Sequence, residues 1–313
     1  MHLLITGAWR SAPDKLKEIE QLGHKVLFLQ NEKDKLPCSY ADIEGVICNG
    51  LFLYHPIEEF TSLKYIQLTS AGYDRVDMDY VRRRGIIINN AHGVYSIPMA
   101  EFAVSGVLQL YKKSRFFYEN QKSRKWEKNR ELLELNGKTV CVIGAGNVGT
   151  ECAKSFKAFG TEVLGVDLFP RQDEQFDEIY ELNELDEVLK FSDIVILTLP
   201  LTEQTKHLIS SDRLKKMKQG SVLVNIARGQ LIEENALVDA LKNKLLGAVL
   251  DVFEEEPLSE TSVFWELNNV IISPHNSFVS ERNENRLFDV IFKNLKKGKN
   301  MIKQILSQNI NIM

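Results

Sequence analysis

The feature that most constrains this chain is the glycine-rich run Gly144-Ala145-Gly146-Asn147-Val148-Gly149, between a predicted strand and a predicted helix. Residues 139–143 read TVCVI, which is typical of a strand buried on both faces of a parallel sheet. A second strand, residues 163–166, leads directly to Asp167. The helix between the strands has three apolar side chains spaced to face the sheet: Cys152, Phe156 and Phe159.

Each part of this run has a physical task in holding a dinucleotide. Gly144 permits a tight turn, Gly146 leaves room for the pyrophosphate, and Gly149 lets the helix pack closely on its strand. The helix begins around Asn147 and Val148, where unpaired N–H groups and a partial positive charge attract phosphate. The strand–turn–helix context therefore predicts nucleotide binding, although glycines also serve turns that bind nothing.

Asp167 indicates which dinucleotide is bound. A carboxylate at the end of the second strand accepts hydrogen bonds from both hydroxyls of the adenosine ribose. A 2′-phosphate would meet like charge there, so we expect NAD in preference to NADP. Arg171 tempers this preference, although an arginine just past a strand is often simply solvated.

Length and charge narrow the class of protein. A chain of 313 residues with 44% hydrophobic residues suggests two domains with separate cores. With 39 basic and 43 acidic residues, the net charge of -4 gives no sign of a nucleic-acid surface. No apolar run approaches the roughly 18 residues of a membrane span, and the N-terminus lacks a signal-peptide pattern. The four cysteines lack metal-binding or disulfide spacing, so we expect a reduced, cytoplasmic protein without a metal site.

The pattern of the first part of the chain predicts a parallel α/β domain. This domain has no glycine fingerprint of its own, so we expect it to bind substrate and not nucleotide. Two loops follow its predicted strands, residues 49–52 and residues 70–73. Gly72 can expose backbone N–H groups to a carboxylate, but ordinary turns explain the pattern equally well. Its strands are predicted at residues 3–6, 26–29, 46–48, 65–68 and 86–88.

A long helix is predicted from Ile97 to about Trp126 as the crossing into a second domain. Its aromatic residues suggest contact with a partner, and core packing is the competing explanation. About six strands are predicted in the second domain, and an amphipathic stretch from Ser280 returns to the first domain before a tail at Gln308–Met313. The strands after Asp167 are predicted at residues 194–199, 222–226, 248–252 and 270–273.

Three charged residues follow strands of this second sheet. Arg228 lies in NIARG, Asp251 precedes the acidic run Glu254-Glu255-Glu256, and His275 follows Ser273-Pro274. The carboxyl ends of parallel strands share one edge of a sheet, so we expect all three near Gly144, where the nicotinamide should lie.

At these residues the sequence resembles the D-isomer-specific 2-hydroxyacid dehydrogenase family over nearly its whole length. The specific motifs, in order, are GAGNVG with Asp167, TLPLTEQTKHLI, MKQGSVLVNIARGQLIEENAL, LDVFEEEPL and SPHNS. The resemblance implies two doubly wound parallel-sheet domains. A Rossmann NAD-binding domain (residues 98–279) is inserted in a flavodoxin-like substrate domain (residues 1–97 and 280–313).

The resemblance also implies roles. Arg228 binds the substrate carboxylate with a bidentate fork, and His275 is the acid or base at the substrate oxygen. Glu256, directly before Pro257, is the carboxylate that favours the protonated imidazole. The backbone of Ser70, Ala71 and Gly72 completes the substrate site. The remaining implied cofactor contacts are Leu199, Pro200, Thr205, Ile226, Ala227, Arg228, Asp251 and His275.

Alternatives exist for several of these residues. His92 is the rival acid, Arg228 alone fits a structural ion pair, and Glu254 and Glu255 are interpreted as solvated loop charges. His207 is interpreted as a surface or packing residue. Leu51, Phe52 and Tyr54 would give the substrate pocket an apolar side, and the loop at Asn49 lacks the basic residues expected for a phosphorylated substrate.

The resulting expectation is an NAD-dependent homodimeric oxidoreductase that interconverts small 2-oxo acids and D-2-hydroxy acids. Formate oxidation is disfavoured, because the related formate enzymes have glutamine where Glu256 stands. An NADH-sensing binding protein, similar to the corepressor relatives of the family, is the alternative from another class, since such proteins can keep the same residues.

Overall fold

The computed structural model describes the backbone of residues 1–310 and the side chains of residues 1–297. The chain divides into two compact units. Unit 1 is Met1–Tyr95 together with the residues from Ser280 onward, and unit 2 is Ser96–Val279. Among the described residues, no helix is both long enough and apolar enough to cross a membrane.

Unit 1 is built on a five-stranded parallel sheet in the order β2-β1-β3-β4-β5. This is the doubly wound order of flavodoxin-like proteins. The strands and first helices are β1 (His2–Thr6), α1 (Ala12–Gln21), β2 (Lys25–Leu29), β3 (Gly45–Cys48), β4 (Tyr65–Leu68), α2 (Met78–Arg84) and β5 (Ile87–Asn89). All five strands predicted from the sequence are present, with ends shifted by at most one residue.

Unit 2 contains a seven-stranded parallel sheet. Its elements are α3 (Ser96–Tyr111), α4 (Ser114–Lys122), β6 (Thr139–Ile143), α5 (Asn147–Lys157), β7 (Glu162–Asp167), β8 (Glu178–Glu181), α6 (Leu185–Phe191), β9 (Ile194–Leu197), α7 (Ser211–Lys216), β10 (Val222–Asn225), α8 (Glu234–Asn243), β11 (Gly247–Leu250) and β12 (Val270–Ile272). The strand order is β12-β11-β10-β9-β6-β7-β8, which contains the Rossmann order with one strand added at β12. The predicted α/β fold class is confirmed.

The chain returns to unit 1 in the helix α9 (Asn283–Ile310). Its predicted apolar face is confirmed, because Leu287, Ile291 and Leu295 are buried in a cluster with Trp9. The tail expected at Gln308–Met313 is wrong for its first part, since the helix continues to Ile310, and residues 311–313 lie outside the described part.

The long helix predicted from Ile97 to Trp126 is wrong in its continuity. Helix α3 ends at Tyr111, and Lys113 adopts a left-handed backbone with φ of 51° before α4 begins. Helix α3 packs so closely on the sheet that a Cβ at Gly106 would lie 2.6 Å from Val249. Core packing, the competing explanation for its aromatic residues, holds for Tyr111, whereas Trp126 after α4 is 99% exposed.

Two further expectations for unit 2 differ from the structure. The seventh strand, β8, was missed because its sequence EIYE is polar and lies partly exposed at the edge of the sheet. Phe159 does not face the sheet, since it lies after the end of α5 and is 42% exposed, whereas Cys152 and Phe156 are buried. The two errors have one cause, which is that side-chain periodicity is a weak guide at the edge of a sheet and at a helix end.

The cysteines behave as small core residues. Cys48, Cys141 and Cys152 are buried, and all four cysteines are free. Burial raises the pKa of the Cys141 and Cys152 thiols to about 12, so both thiols stay protonated and unreactive at neutral pH.

Candidate active site in unit 2

The strand order brings the predicted charged residues to one edge of the sheet. β10, β11 and β12 are neighbours and run parallel, so the loops that follow them start side by side. Arg228 follows β10, Asp251 follows β11 and His275 follows β12. The glycine-rich turn after β6 is at the same edge, with only β9 between β6 and β10.

The glycine-rich turn has the geometry expected of a dinucleotide loop. Gly144 has φ of 101°, and a Cβ there would lie 2.8 Å from the backbone of Leu199. A Cβ at Gly149 would lie 2.0 Å from the Gly144 carbonyl oxygen, so helix α5 approaches its strand as closely as glycine allows. Gly146 faces open space within 4 Å, which leaves room for a phosphate to approach the helix N-terminus at Asn147 and Val148.

Asp167 is tied to this turn. Its Oδ2 accepts a hydrogen bond from the Ala145 N–H at 2.7 Å, and its Oδ1 accepts one from the Phe169 N–H at 3.0 Å. Arg171 is not simply solvated, because its Nη2 donates to the Ala145 carbonyl oxygen at 2.7 Å and lies 3.6 Å from Asp173 Oδ2. A carboxylate and a guanidinium therefore both lie beside Ala145.

The segment after β9 forms a compact loop. The Thr205 hydroxyl is buried and donates to the Pro200 carbonyl oxygen at 2.8 Å, while the Thr202 N–H donates to Thr205 Oγ1 at 2.8 Å. Thr205 thus shapes the loop through its own hydrogen bonds. Leu199 packs against Gly144, and Pro200 is exposed.

Arg228 is positioned by its own strand end. Asn225, the last residue of β10, donates from Nδ2 to the Arg228 carbonyl oxygen at 2.8 Å and accepts from the Ala227 N–H at 3.1 Å. Arg228 Nη1 donates to the Ala227 carbonyl oxygen at 2.7 Å. Ile226 and Ala227 are buried, so Arg228 is the first partly exposed residue of the loop.

Asp251 holds the turn that presents His275. Its carboxylate is 0% exposed and accepts hydrogen bonds from the Ser273 hydroxyl, the Asn276 N–H at 2.7 Å and the Ser277 N–H at 3.0 Å. The Asp251 carbonyl oxygen accepts from the His275 N–H at 2.7 Å. The cofactor contact that the resemblance implies for Asp251 stays a prediction, because both carboxylate oxygens already bind this turn.

The imidazole of His275 is paired with Glu256. His275 Nδ1 lies 2.9 Å from Glu256 Oε2, and the other carboxylate oxygen accepts from the Phe253 N–H at 3.1 Å. The two side chains are 43% and 38% exposed, and the carboxylate occupies Nδ1, so Nε2 is the ring nitrogen not engaged by Glu256. An imidazole oriented by a carboxylate is the arrangement that general acid–base chemistry requires.

A second pair lies close by and was missed. His207 Nε2 is 2.9 Å from Glu254 Oε1. Both side chains are exposed, as expected for a surface histidine and a solvated loop charge, but their pairing was not predicted. The partners are 47 residues apart in the chain, and no short-range pattern links them. The Glu254 N–H also donates to Glu234 Oε1 at 2.7 Å.

In unit 1, side-chain hydrogen bonds hold the loop that follows β4. The Ser70 hydroxyl donates to the Gly72 carbonyl oxygen at 3.0 Å, and Asn90 Nδ2 donates to the Ala71 carbonyl oxygen at 2.5 Å. These bonds use the carbonyl groups of residues 70–72 and none of their N–H groups. His92, the rival acid, is exposed, and the described side chains of this unit place no carboxylate within ion-pair distance of it.

The neighbouring loop of unit 1 differs from expectation in two ways. Leu51 is 0% exposed and belongs to the core, while Tyr54 is 58% exposed. Glu32, which the sequence did not single out, accepts hydrogen bonds from the Asn49 and Gly50 N–H groups at 2.6 and 2.7 Å. Arg75 Cδ lies 3.7 Å from the position of a Cβ on Gly50, so an arginine side chain packs beside this loop.

The chain belongs to the D-isomer-specific 2-hydroxyacid dehydrogenase family. Residues 104–277 match the model described as "D-isomer specific 2-hydroxyacid dehydrogenase, NAD binding domain". This range contains the glycine-rich turn, Arg228, Glu256 and His275.

Individual relatives agree. The chain is 35% identical to glyoxylate reductase from Thermofilum pendens over 84% of this chain and 78% of that one. It is 31% identical to D-3-phosphoglycerate dehydrogenase from Methanocaldococcus jannaschii over 95% of this chain, but spans only 57% of that relative's length. The structure of D-lactate dehydrogenase from Aquifex aeolicus, complexed with NAD and lactic acid, has a TM-score of 0.78 and 28% identity. That comparison covers 98% of this chain and 97% of the other.

Proposed function

We propose that this protein is an NAD-dependent oxidoreductase that interconverts a small 2-oxo acid and its D-2-hydroxy acid. The observation on which the proposal depends is the His275–Glu256 pair, 2.9 Å apart, at the same sheet edge as the glycine-rich turn. The relatives named glyoxylate reductase and D-3-phosphoglycerate dehydrogenase support this class of reaction.

The residues around the turn fit a dinucleotide. Gly146 faces open space where a pyrophosphate would approach, and Asp167 lies at the end of β7, beside Ala145. NAD, when bound, supplies the hydride chemistry. Asp167 favours NAD over NADP because its carboxylate repels a 2′-phosphate, although the Arg171 guanidinium beside Ala145 weakens that repulsion.

The chain's own residues then have distinct tasks. Arg228 binds the substrate carboxylate and polarises its 2-oxo group. In unit 1, the backbone N–H groups of Ser70, Ala71 and Gly72 are proposed as carboxylate donors. His275 Nε2 donates a proton to the carbonyl oxygen in the reductive direction and accepts it in the reverse direction. Glu256 holds Nδ1, which fixes the ring orientation and stabilises the imidazolium.

The test is NADH oxidation with a panel of 2-oxo acids that includes glyoxylate, hydroxypyruvate and a phosphorylated relative. We expect His275→Ala and Arg228→Ala each to lower kcat/KM by at least about 100-fold, since general acid catalysis alone contributes roughly 10²–10⁴-fold. Glu255→Ala serves as the matched control, because Glu255 is exposed and has no hydrogen bond or ion pair among the described side chains. Undiminished turnover in either variant would remove the role assigned to that residue.

The same assay separates the enzyme from the NADH-sensing alternative. An enzyme of this class turns over free substrate at roughly 1 per second or faster. Tight NADH binding without turnover of any 2-oxo acid would instead support a binding protein that uses the same fold and the same site.

A further inference from the structure

Two imidazole–carboxylate pairs in unit 2 share one loop, residues 253–257, which we call the glutamate loop. Glu256 of this loop pairs with His275, whose Nδ1 lies 2.9 Å from Glu256 Oε2. Glu254 pairs with His207, whose Nε2 lies 2.9 Å from Glu254 Oε1. The proposed reaction uses the first pair and leaves the second without a task.

The glutamate loop is held at three further points. Its Glu254 N–H donates to Glu234 Oε1 at 2.7 Å, and its Phe253 N–H donates to Glu256 Oε1 at 3.1 Å. A Cβ on Gly229 would lie 1.9 Å from the Phe253 carbonyl carbon, so the residue after Arg228 is in direct backbone contact with the loop. Glu256 therefore takes its position from a backbone that Glu254 and its partners fix.

The two histidines also share an unusual backbone conformation. His207 has φ of 50° and His275 has φ of 49°, in the left-handed region that side chains other than glycine seldom adopt. Surrounding contacts must maintain such a conformation, and residues of this kind concentrate at functional sites. The His207 backbone N–H donates to the Gln230 carbonyl oxygen at 2.8 Å, which ties the His207 backbone to the loop that follows Arg228.

We propose that His207 and Glu254 are positioning residues, which act through the glutamate loop to keep the Glu256 carboxylate against Nδ1 of His275. This inference depends on the proposed function for its kinetic consequence. Neither residue needs to touch substrate or cofactor. A displacement of about 1 Å in such a support can cost on the order of 100-fold in rate, so a surface pair can matter for catalysis.

A double-mutant cycle tests this coupling. We expect Glu254→Ala to lower kcat for 2-oxo acid reduction by about 10-fold or more, with KM for NADH changed less than about 2-fold. In a Glu256→Gln background the same substitution should have almost no further effect, because the carboxylate that Glu254 positions is already absent. Glu254→Gln keeps an acceptor oxygen and should retain most of the activity, and Glu255→Ala should leave it unchanged. Equal effects of Glu254→Ala in both backgrounds would overturn the proposal.

A readout independent of turnover comes from the NMR signal of the His275 ring proton on Nδ1, which a hydrogen bond to a carboxylate shifts downfield and protects from exchange with water. Glu256 Oε2 lies 2.9 Å from Nδ1 and should move away from it in Glu254→Ala, so we expect this signal to shift upfield or to be lost by exchange. His207→Asn provides a second variant if Glu254→Ala does not fold, since asparagine tolerates the left-handed backbone. An unchanged signal in folded variants would refute the positioning role. Absence of turnover in the wild type would refute only the proposed function, because the ring signal would still report on the loop.

Discussion

At the scale of single residues, Asp167 is the group whose charge bears most directly on the choice between NAD and NADP. Its two oxygens already accept the Ala145 and Phe169 N–H groups, so the carboxylate is fixed at the end of β7. A fixed negative charge discriminates better than a mobile one, since it cannot move away from a 2′-phosphate.

We therefore predict that Asp167→Asn raises the ratio of kcat/KM for NADPH to that for NADH by about 10-fold or more, a difference of about 1.4 kcal/mol. The matched control is Glu162→Gln, at the opposite end of the same strand, which should leave the ratio unchanged. Steady-state kinetics with NADPH and with NADH measure this ratio. An unaltered ratio in Asp167→Asn would mean that Arg171, not Asp167, sets the preference.

Residues that directly follow strands were predictable from the sequence, and pairs made by residues far apart in the chain were not. Arg228, Asp251 and His275 were predicted to share an edge because parallel strands end together. Glu32 binding the Asn49 and Gly50 N–H groups, and His207 binding Glu254, were not predicted. Those contacts depend on how loops fold over the sheet edge, and neither periodicity nor spacing specifies that.

At the scale of elements, the glycines of the run between β6 and α5 have different tasks. Measurements of unfolding and of NADH binding can separate these tasks. Gly149→Ala would place a Cβ 2.0 Å from the Gly144 carbonyl oxygen, whereas Gly146→Ala meets nothing within 4 Å. We predict that Gly149→Ala destabilises the cofactor-free protein by roughly 1–3 kcal/mol through overpacking. Gly146→Ala should leave its stability nearly unchanged and weaken NADH binding. Urea unfolding and NADH titration measure the two effects, and equal destabilisation by both variants would contradict this division.

Glu234, the first residue of α8, is expected to make the free energy of unfolding depend on pH. Burial raises the pKa of the Glu234 carboxyl above its ordinary value of 4.5, with repulsion from Glu254 acting in the same direction. A raised pKa in the folded state contributes stability at low pH, and this contribution is lost as pH rises through the folded pKa. Glu234→Gln keeps an acceptor for the Glu254 N–H and removes the titration.

We therefore predict that wild type and Glu234→Gln unfold with similar free energies near pH 4.5, and that the variant becomes more stable by less than about 1 kcal/mol at pH 7.5. Urea unfolding at the two pH values measures this difference. Glu233→Gln, at the residue directly before α8, is the neighbouring control. If Glu234→Gln instead becomes less stable than wild type as pH rises, the fold favours the ionised form of Glu234.

Elements themselves were largely predictable, because buried parallel strands read as continuous β-branched runs. The failures lie where burial is incomplete. β8 is polar and at the sheet edge, and the break between α3 and α4 at Lys113 has no glycine or proline to mark it. A left-handed lysine in a helical stretch follows from tertiary packing, which local propensity does not include.

At the scale of the whole molecule, one aromatic surface suggests association. Trp126 is 99% exposed, and Tyr118 and Phe117 on α4 are 59% and 38% exposed. The sequence indicated a partner surface on the aromatic helix. The structure divides that stretch into α3, one side of which is buried, and a largely exposed α4 with the segment after it. Several large aromatic side chains exposed close together in the chain are typical of interaction sites.

We propose that this surface forms a homodimer, and we predict that Trp126→Ala weakens it by about 2 kcal/mol or more, roughly 30-fold in Kd, as for an aromatic hot spot. Light scattering during size-exclusion chromatography over a range of concentrations measures the shift from dimer to monomer. Trp265→Ala is the matched control, because Trp265 is 51% exposed in the same unit and its Nε1 donates to the Ser259 carbonyl oxygen. A wild type that is monomeric at all concentrations would refute the homodimer. A dimer that Trp126→Ala leaves intact would place the interface on another face of the molecule.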